Sequence, residues 1–507
     1  MNALPFLRNG ELINLAEIPS LPYRDFGDHL ARLLSAGGRL AACFVDSPPD
    51  AGNVLPVYAV IAEDAENRLG VLRAFISRAQ ESLTPRIPQL HLFEREMAEQ
   101  FGVVFRGHPW FKPVRFHAPW PGETDAWGRN PLDHPQVGAM HYFRMEGDDV
   151  HEVGVGPVHA GIIEPGHFRF QCHGETVLHL EISLGYQHRG IERLVAGGPW
   201  PRTPYQIETA AGDSTIGHMT AYSMVLEALA GADVPENALM LRAMALELER
   251  LANHVGDLGA LAGDIGFLPT AAYCGRLRGD FLNMTALVCG SRFGRGLVRP
   301  GGVRFDCNAV RAEKLRQALT AAADHTRGAL DLFFETPSVL GRLEGVGMVC
   351  REDAAALGLT GVAGKACGID CDTRRHHGTG VFTDETIAAV TETTGDVFAR
   401  AKVRRREIEQ SIGLLHRFLN FRMRGPLNVP IGPSAPDSMA VALVEGWRGP
   451  IVHIAVTGGD GRFRRYKIVD PSFLNWSSLA LALRNEQISD FPLCNKSFNL
   501  SYCGFDL

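Results

Sequence analysis

Ten cysteines are the residues of this chain best suited to metal or redox chemistry, and their spacing decides what they can do. They are Cys43, Cys172, Cys274, Cys289, Cys307, Cys350, Cys367, Cys371, Cys494 and Cys503. No two stand two residues apart, so the close thiolate pairs from which structural zinc sites are assembled are missing. The nearest pair, Cys367 and Cys371, falls in the glycine-rich run GKACGIDCD, which reads as a loop. Scattered thiols behind a first segment, MNALPFLRNGELINL, without the apolar stretch of a secretory leader are expected to be reduced and cytoplasmic. The densest basic patch, Lys402 to Arg406, is answered at once by Glu407 and Glu409, so it reads as a solvated helix face.

The totals fit a multi-unit globular protein. At 507 residues the chain exceeds one ordinary core and predicts two to four structural units. Apolar residues make up 45% and charged residues 21%, and the formal net charge is −7. That balance excludes a duplex nucleic-acid binder, which needs a basic face to exchange for counterions, so no nucleic-acid partner is expected. Nowhere do ~18 apolar residues run together, so membrane association has to come through partner subunits.

The elements that would position any chemistry fall into two regions. Residues 1–112 read as a small α/β unit, with β-rich runs LAACFVD and VYAVIAE, a helix over Arg68–Ser82 and a second over His91–Gly102. A Pro- and Trp-rich stretch over 108–135 marks the linker, which is set at 113–150. Residues 151–507 read as mainly helical with small β elements, which makes the whole chain α+β. One long helix opens at Pro235, and another is predicted from a Thr383–Asp384 cap to about Leu419. VHIAVTG and RRYKIVD, flanking Gly458-Gly459-Asp460-Gly461, predict a hairpin.

Five ordered stretches resemble one family. LFEREMAEQFGVVFRGHP (92–109) resembles the signature of the 30-kDa-type subunit of complex I. GPVHAGIIEPGHFRF with LGYQHRGIERL, then ELERLANHVGDLGALAGDIGF with RPGGVR, GKACGIDCDTR, and DPSFLNWSSLALALRNEQISDFPL resemble the large subunit of complex-I-like, membrane-bound [NiFe]-hydrogenases of the formate hydrogenlyase type, related to the 49-kDa subunit of complex I. The resemblance implies a docking domain fused to a hydrogenase-like large subunit in a peripheral arm on the inner face of the cell membrane. It also implies an iron–sulfur small subunit and antiporter-like membrane subunits as partners.

The family's nickel ligands are two Cys-x-x-Cys pairs, because soft thiolates suit nickel and iron. The family pattern puts Ala211 and Ser214 at the first pair and Ser501 and Gly504 at the second, so no nickel is expected. The resemblance implies roles for the polar residues that remain. Glu164, in IEPGH, takes the place of the proton-transfer glutamate. His218 takes the place of a histidine near the metal, or is a satisfied core histidine. Asp372 and Arg374 are expected to pair on the cavity wall, with Lys365 replacing an arginine there. A quinone is the acceptor implied by the complex I relative; its tyrosine place falls at about Gly212, beside Asp213, and His159 and His167 are the nearby candidate donors. His188, Arg189, Glu192 and Arg193 are expected at a helix start facing the cluster-bearing partner.

Overall fold

The computed structural model describes residues 5–46, 52–120, 123–129, 136–158, 164–421 and 424–507. A short early strand, β1 (Leu12–Asn14), leaves its own neighbourhood and pairs antiparallel with Ser438–Gly446, Ile13 lying opposite Met439. The N-terminal region otherwise forms an antiparallel sheet of β2 (Arg39–Val45), β3 (Val54–Glu63) and β4 (Arg68–Ser77), with Phe6–Leu7 and Ser20–Leu21 both added along β4. Helix α1 (Tyr23–Ser35) packs on this sheet.

The helix predicted over 68–82 is therefore a strand, paired with β3 over its whole length. Leu69, Gly70, Val71 and Leu72 are all buried, so the alternation that betrays a strand is lost, and a short apolar run does not tell strand from helix. Helix α2 (His91–Phe101) follows as expected and stops at Gly102, whose φ of 67° is left-handed. A Cβ there would stand 2.1 Å from the Thr124 carbonyl oxygen, so only glycine fits.

A three-strand antiparallel meander of β5 (Val150–Val155), β6 (His167–His173) and β7 (Thr176–Ser183) leads into the helical body. That body holds α3 (Thr215–Ala230), α4 (Glu236–Asp264), α5 (Leu268–Cys289), α6 (Ala309–Glu335) and α7 (Val397–Phe418). Helix α4 is its axle, packed against α5 and α7. It is buried on all sides, and Glu247, Arg250, His254 and Asp257 form a charged stripe along it at helical spacing.

Helix α7 starts later than predicted. Thr383 closes a 3₁₀ turn, and the true cap is Asp396, whose carboxylate accepts from the Ala399 N–H at 2.7 Å. The Thr-Thr-Gly run before it, with Gly395 at φ 66°, keeps residues 393–395 out of the helix. The GKAC segment is not loop either, since Gly361–Ala366 is helical and both Cys367 and Cys371 are buried. The basic patch of α7 is only partly solvated: Arg404 is fully buried against Asp257 at 2.8 Å.

The predicted hairpin forms as β9 (Gly449–Thr457) and β10 (Phe463–Val469), completing a sheet in the order β10, β9, β8 (Ser438–Gly446), β1. Asp470 then caps α8 (Pro471–Ala482). Among the described residues no helix is long and apolar enough to cross a membrane.

Candidate functional site

The C-terminal half of α4 forms one wall of a cavity of about 290 Å³. Glu164, Asp213, Asp257, Arg278, Arg448 and Lys496 give it an ionic lining of both signs. Arg448, on the β8–β9 turn, grips Asp213 with two bonds of 2.7 Å and donates to the Asn499 carbonyl at 2.5 Å. Its own burial opposes the charge, but Asp213 holds the guanidinium pKa above its ordinary value. Glu164 reaches the Cys503 N–H at 3.3 Å. Burial pushes the Glu164 carboxyl up; Arg448 opposes that shift and the Asp213 charge adds to it.

From this wall a buried polar chain runs inward. The Trp447 indole donates to the Asp213 carbonyl at 3.0 Å and stands edge-on to His254. His254 pairs with Glu407 at 2.7 Å. Glu407 shares Lys365 with Asp372 and Glu445, at 2.7, 2.9 and 3.1 Å. Asp372 also receives Arg374 at 2.7 Å, and Arg374 forks onto Glu247 at 3.0 Å through both carboxylate oxygens. Arg250 closes the cluster against Glu247 at 3.3 Å and the carbonyls of Glu445 and Gly446. All of these ionic side chains are at most 4% exposed.

The charges in this cluster do not cancel. Lys365, Arg374 and Arg250 supply three positives, while Asp372, Glu407, Glu445 and Glu247 supply four carboxylates. Burial disfavours ionisation of all four, but Lys365, Arg250 and Arg374 outweigh it at Asp372, Glu407 and Glu247, whose pKa values are depressed. Glu445 is the exception: burial pushes its carboxyl up despite Lys365, with Asp372 adding to the rise. Of the four, Glu445 is thus the carboxyl whose charged form the cluster stabilises least. Burial lowers the His254 pKa, against the pull of the Glu407 carboxylate.

A third buried unit is a chain of hydrogen bonds. The Tyr466 hydroxyl meets His453 Nδ1 at 2.7 Å, His453 Nε2 meets His218 Nδ1 at 3.0 Å, and His218 Nε2 meets the Asp470 carboxylate at 3.1 Å. The Asp470 carboxylate accepts the last of these bonds from His218 Nε2–H. Asp470 also accepts from the Ser472 N–H at 2.8 Å as the α8 cap.

The positions that the resemblance assigns to the family's cysteines are Ala211, Ser214, Ser501 and Gly504. Ala211, Ser214 and Ser501 are buried. The Ser501 hydroxyl is engaged as a helix cap, accepting from the Gly504 N–H at 2.9 Å. A Cβ built on Gly504 would stand 2.6 Å from the Asp470 carboxyl carbon, so Asp470 fills the space a side chain there would need. The Cys503 sulfur lies against the Ser501 hydroxyl at 3.4 Å, and burial pushes its thiol pKa up, away from the thiolate form that binds metal. Among the described residues no three His, Cys, Asp or Glu side chains are grouped to hold a metal ion.

The sequence-derived residues therefore separate. Glu164 and Asp213 share the ionic cavity. Asp372 and Arg374 do pair, but with Lys365 they belong to the interior cluster and line no part of that cavity. His218 has both ring nitrogens engaged in the Tyr466–Asp470 chain. His167 lies at the start of β6, edge-on to Tyr142 and beside Arg169, off the cavity wall. His159 lies outside the described residues. Glu192 is buried against Lys467 at 3.0 Å and Arg465 at 3.1 Å, and His188 is bonded to the Asp506 carbonyl at 2.7 Å, so both are engaged within the chain. Sequence reasoning missed Arg448, Glu407, Glu445, Glu247, Arg250 and Asp470. Only the charged spacing of Glu247, Arg250 and His254 on α4 offered a signal.

Comparison with known proteins agrees with this architecture. The respiratory-chain NADH dehydrogenase 49 Kd subunit family matches residues 264–431, and the 30 Kd subunit family matches residues 33–132. Formate hydrogenlyase subunit 5 of Escherichia coli is 30% identical over 437 residues, 83% of this chain and 76% of that protein. The carbon monoxide-induced hydrogenase of Rhodospirillum rubrum is 30% identical over 352 residues, 68% of this chain and 96% of that protein. An NADH-quinone oxidoreductase subunit of Bacteroides thetaiotaomicron is 26% identical over 445 residues, 82% of this chain and 83% of that protein. A chain of the archaeal membrane-bound sulfane sulfur reductase shares the fold at a TM-score of 0.66 and 24% identity, covering 71% of this chain and 99% of that one. The chain belongs to the family of complex-I-like hydrogenase large subunits, with a 30 Kd-type region fused ahead of a 49 Kd-type region.

Proposed function

We propose that this chain is a peripheral-arm subunit of a membrane-associated, energy-converting oxidoreductase complex that works without a nickel–iron centre. In this reading an iron–sulfur small subunit docks beside it and delivers electrons. Antiporter-like membrane subunits hold it at the inner face of the cell membrane, and residues 1–112, 113–150 and 151–507 act as docking domain, linker and large-subunit body. The observation that carries the reading is the content of the cysteine places. Alanine and glycine offer no donor, serine is a poor nickel ligand, and Asp470 stands where a side chain on Gly504 would go. The residues present do not fit the nickel–iron group.

What fills the region is proton-holding and ionic. Glu164 lines the cavity with Arg448 and Asp213, and burial raises its carboxyl pKa, the direction that suits a proton-transfer acid. The chain from Asp213 through Trp447 and His254 to the Lys365 cluster gives that wall an electrostatic connection to the interior. A quinone held as in the complex I relative would want a tyrosine at about Gly212, where there is no side chain, and an apolar slot for its ring. The ionic lining suits a water-filled proton path better.

Elemental analysis of the complex purified with its native partners tests this reading. The expected result is iron at the level of the partner's clusters and no nickel. Near-stoichiometric nickel per copy of this chain, with hydrogen turnover, overturns it.

A further inference from the structure

Two cations on the wall of the Glu164 cavity have no counter-charge. Arg278, on α5, and Lys496, on α9 (Phe491–Phe498), both line it and are half-buried. Among the described residues neither side chain makes an ion pair or a hydrogen bond, and their nitrogens stay open to solvent. The rest of the ionic lining is already answered. Arg448 takes Asp213, and Arg404 takes Asp257 at 2.8 Å. The charges that act on Glu164 are those of Arg448 and Asp213. Lys496 acts on the Asp264 carboxyl, but from beyond ion-pair distance, and Asp264 lies off the cavity wall.

The backbone brings the two cations to one stretch of α4. Helix α5 packs along α4, and the Arg278 side chain crosses it at Gly256, where a Cβ would stand 2.6 Å from Arg278 Cδ and 3.0 Å from Nε. The missing side chain at Gly256, itself on the cavity wall, makes room for that crossing. Lys496 lies one turn before Asn499, whose side-chain amide is bonded to Asp257 at 2.5 Å. Asp257 follows Gly256 directly, so the two cations enter at neighbouring turns of α4, one from α5 and one from α9.

With Arg404 counted, the cations Arg278, Lys496, Arg448 and Arg404 meet only the carboxyls Glu164, Asp213 and Asp257 around this space. A half-buried cation gives up part of its hydration, and a counter-charge offsets the loss. A cationic ligand would add repulsion, and a neutral one would leave both charges unanswered. A cavity of about 290 Å³ has room for a small anion together with water.

We infer that this cavity binds a small anion, a carboxylate or oxyanion, between Arg278 and Lys496. The inference rests on the reading of the cavity as a metal-free, water-filled space and names what shares that water. An anion of a weak acid can carry a proton into the space that Glu164 lines.

The test uses the complex purified with its native partners, acetate as the probe and acetamide as its uncharged isostere, both followed by saturation-transfer NMR. Acetate is expected to bind saturably and acetamide at least about tenfold more weakly, a hydrogen bond between charged groups being worth roughly that factor. Arg278→Gln and Lys496→Gln are each expected to weaken acetate about tenfold. Arg276→Gln, on the same helix but exposed, paired with Asp280 and off the cavity wall, should leave it unchanged. A melting curve for each variant separates lost binding from lost folding, and either cavity variant decides the matter if the other fails to fold. Acetamide binding as well as acetate, acetate indifferent to the cavity variants, or an equal loss in Arg276→Gln overturns the inference. Nickel is counted on the same preparation: acetate failing to bind a nickel-free complex sinks this inference alone, whereas stoichiometric nickel sinks the reading beneath it.

Discussion

Lys365→Met tests the charge accounting of the interior. Lys365 Nζ lies 2.7, 2.9 and 3.1 Å from Glu407, Asp372 and Glu445, with every partner at most 4% exposed. Methionine keeps the length and apolar stem and removes the charge. The cluster then has Arg374 and Arg250 against four carboxylates, so the pKa of at least one of those carboxyls has to rise. Removing one member of a buried ion pair typically costs about 3–5 kcal/mol, because the other member is left uncompensated. The pH dependence carries the sharper information. A carboxyl whose folded pKa is raised above its unfolded value of about 4 binds more protons folded than unfolded, so its contribution to stability falls as pH rises between those two values. The deficit of Lys365→Met relative to the parent should therefore be smallest near pH 5 and grow at up to ~1.4 kcal/mol per pH unit towards pH 7. Denaturant unfolding of both proteins at pH 5, 6, 7 and 8 measures it. A deficit below ~1 kcal/mol that does not change with pH would refute the idea that Lys365 neutralises this cluster.

Other substitutions probe the remaining units. Glu164→Gln keeps the size of the side chain and removes its proton; it should leave unfolding within ~0.5 kcal/mol of the parent and lower proton-coupled turnover of the intact complex by about 100-fold, read in a membrane-vesicle assay. Gly504→Ala places a Cβ 2.6 Å from the Asp470 carboxyl carbon, a group fixed by His218 and by the α8 cap, and should cost roughly 1–3 kcal/mol by denaturant unfolding. Burial raises the Glu249 carboxyl to about 8 although it accepts the N–H groups of Ile216 and Gly217; between pH 5 and 8 the parent should lose stability relative to Glu249→Gln, and a constant difference over that range would count against the raised pKa. Asp396→Ala removes the α7 cap and should cost about 1 kcal/mol in the same measurement.

What the sequence yields about this molecule depends on the range of the interactions involved. Helix α2 and the β9–β10 hairpin are written in local spacing and turn residues, and the structure has them where the pattern puts them. The strand β4 and the start of α7 are not, because β4 is decided by its partner β3 and the α7 start by a Gly395–Asp396 break that a plausible earlier cap obscures. The same division runs through the site. Glu164 and Asp213 stand out through the family pattern, and Asp372 and Arg374 through their adjacency. Lys365 is legible as a residue, but its partners are not: Glu407 comes from the middle of α7, which reads as a solvated basic face, and Glu445 from the end of β8, a segment without a sequence-level signal for the site. Each glutamate makes sense only once α4 brings Arg250 and Glu247 alongside. A buried ion pair has no sequence signature of its own, because its cost and its compensation sit on different elements. The consequence reaches the functional reading. The residue types at the family's cysteine places are legible one by one, whereas what surrounds them, an Asp470 anchored by His218 and an Arg448 clamped on Asp213, emerges only when β8, β9 and α8 converge on the N-terminal end of α3.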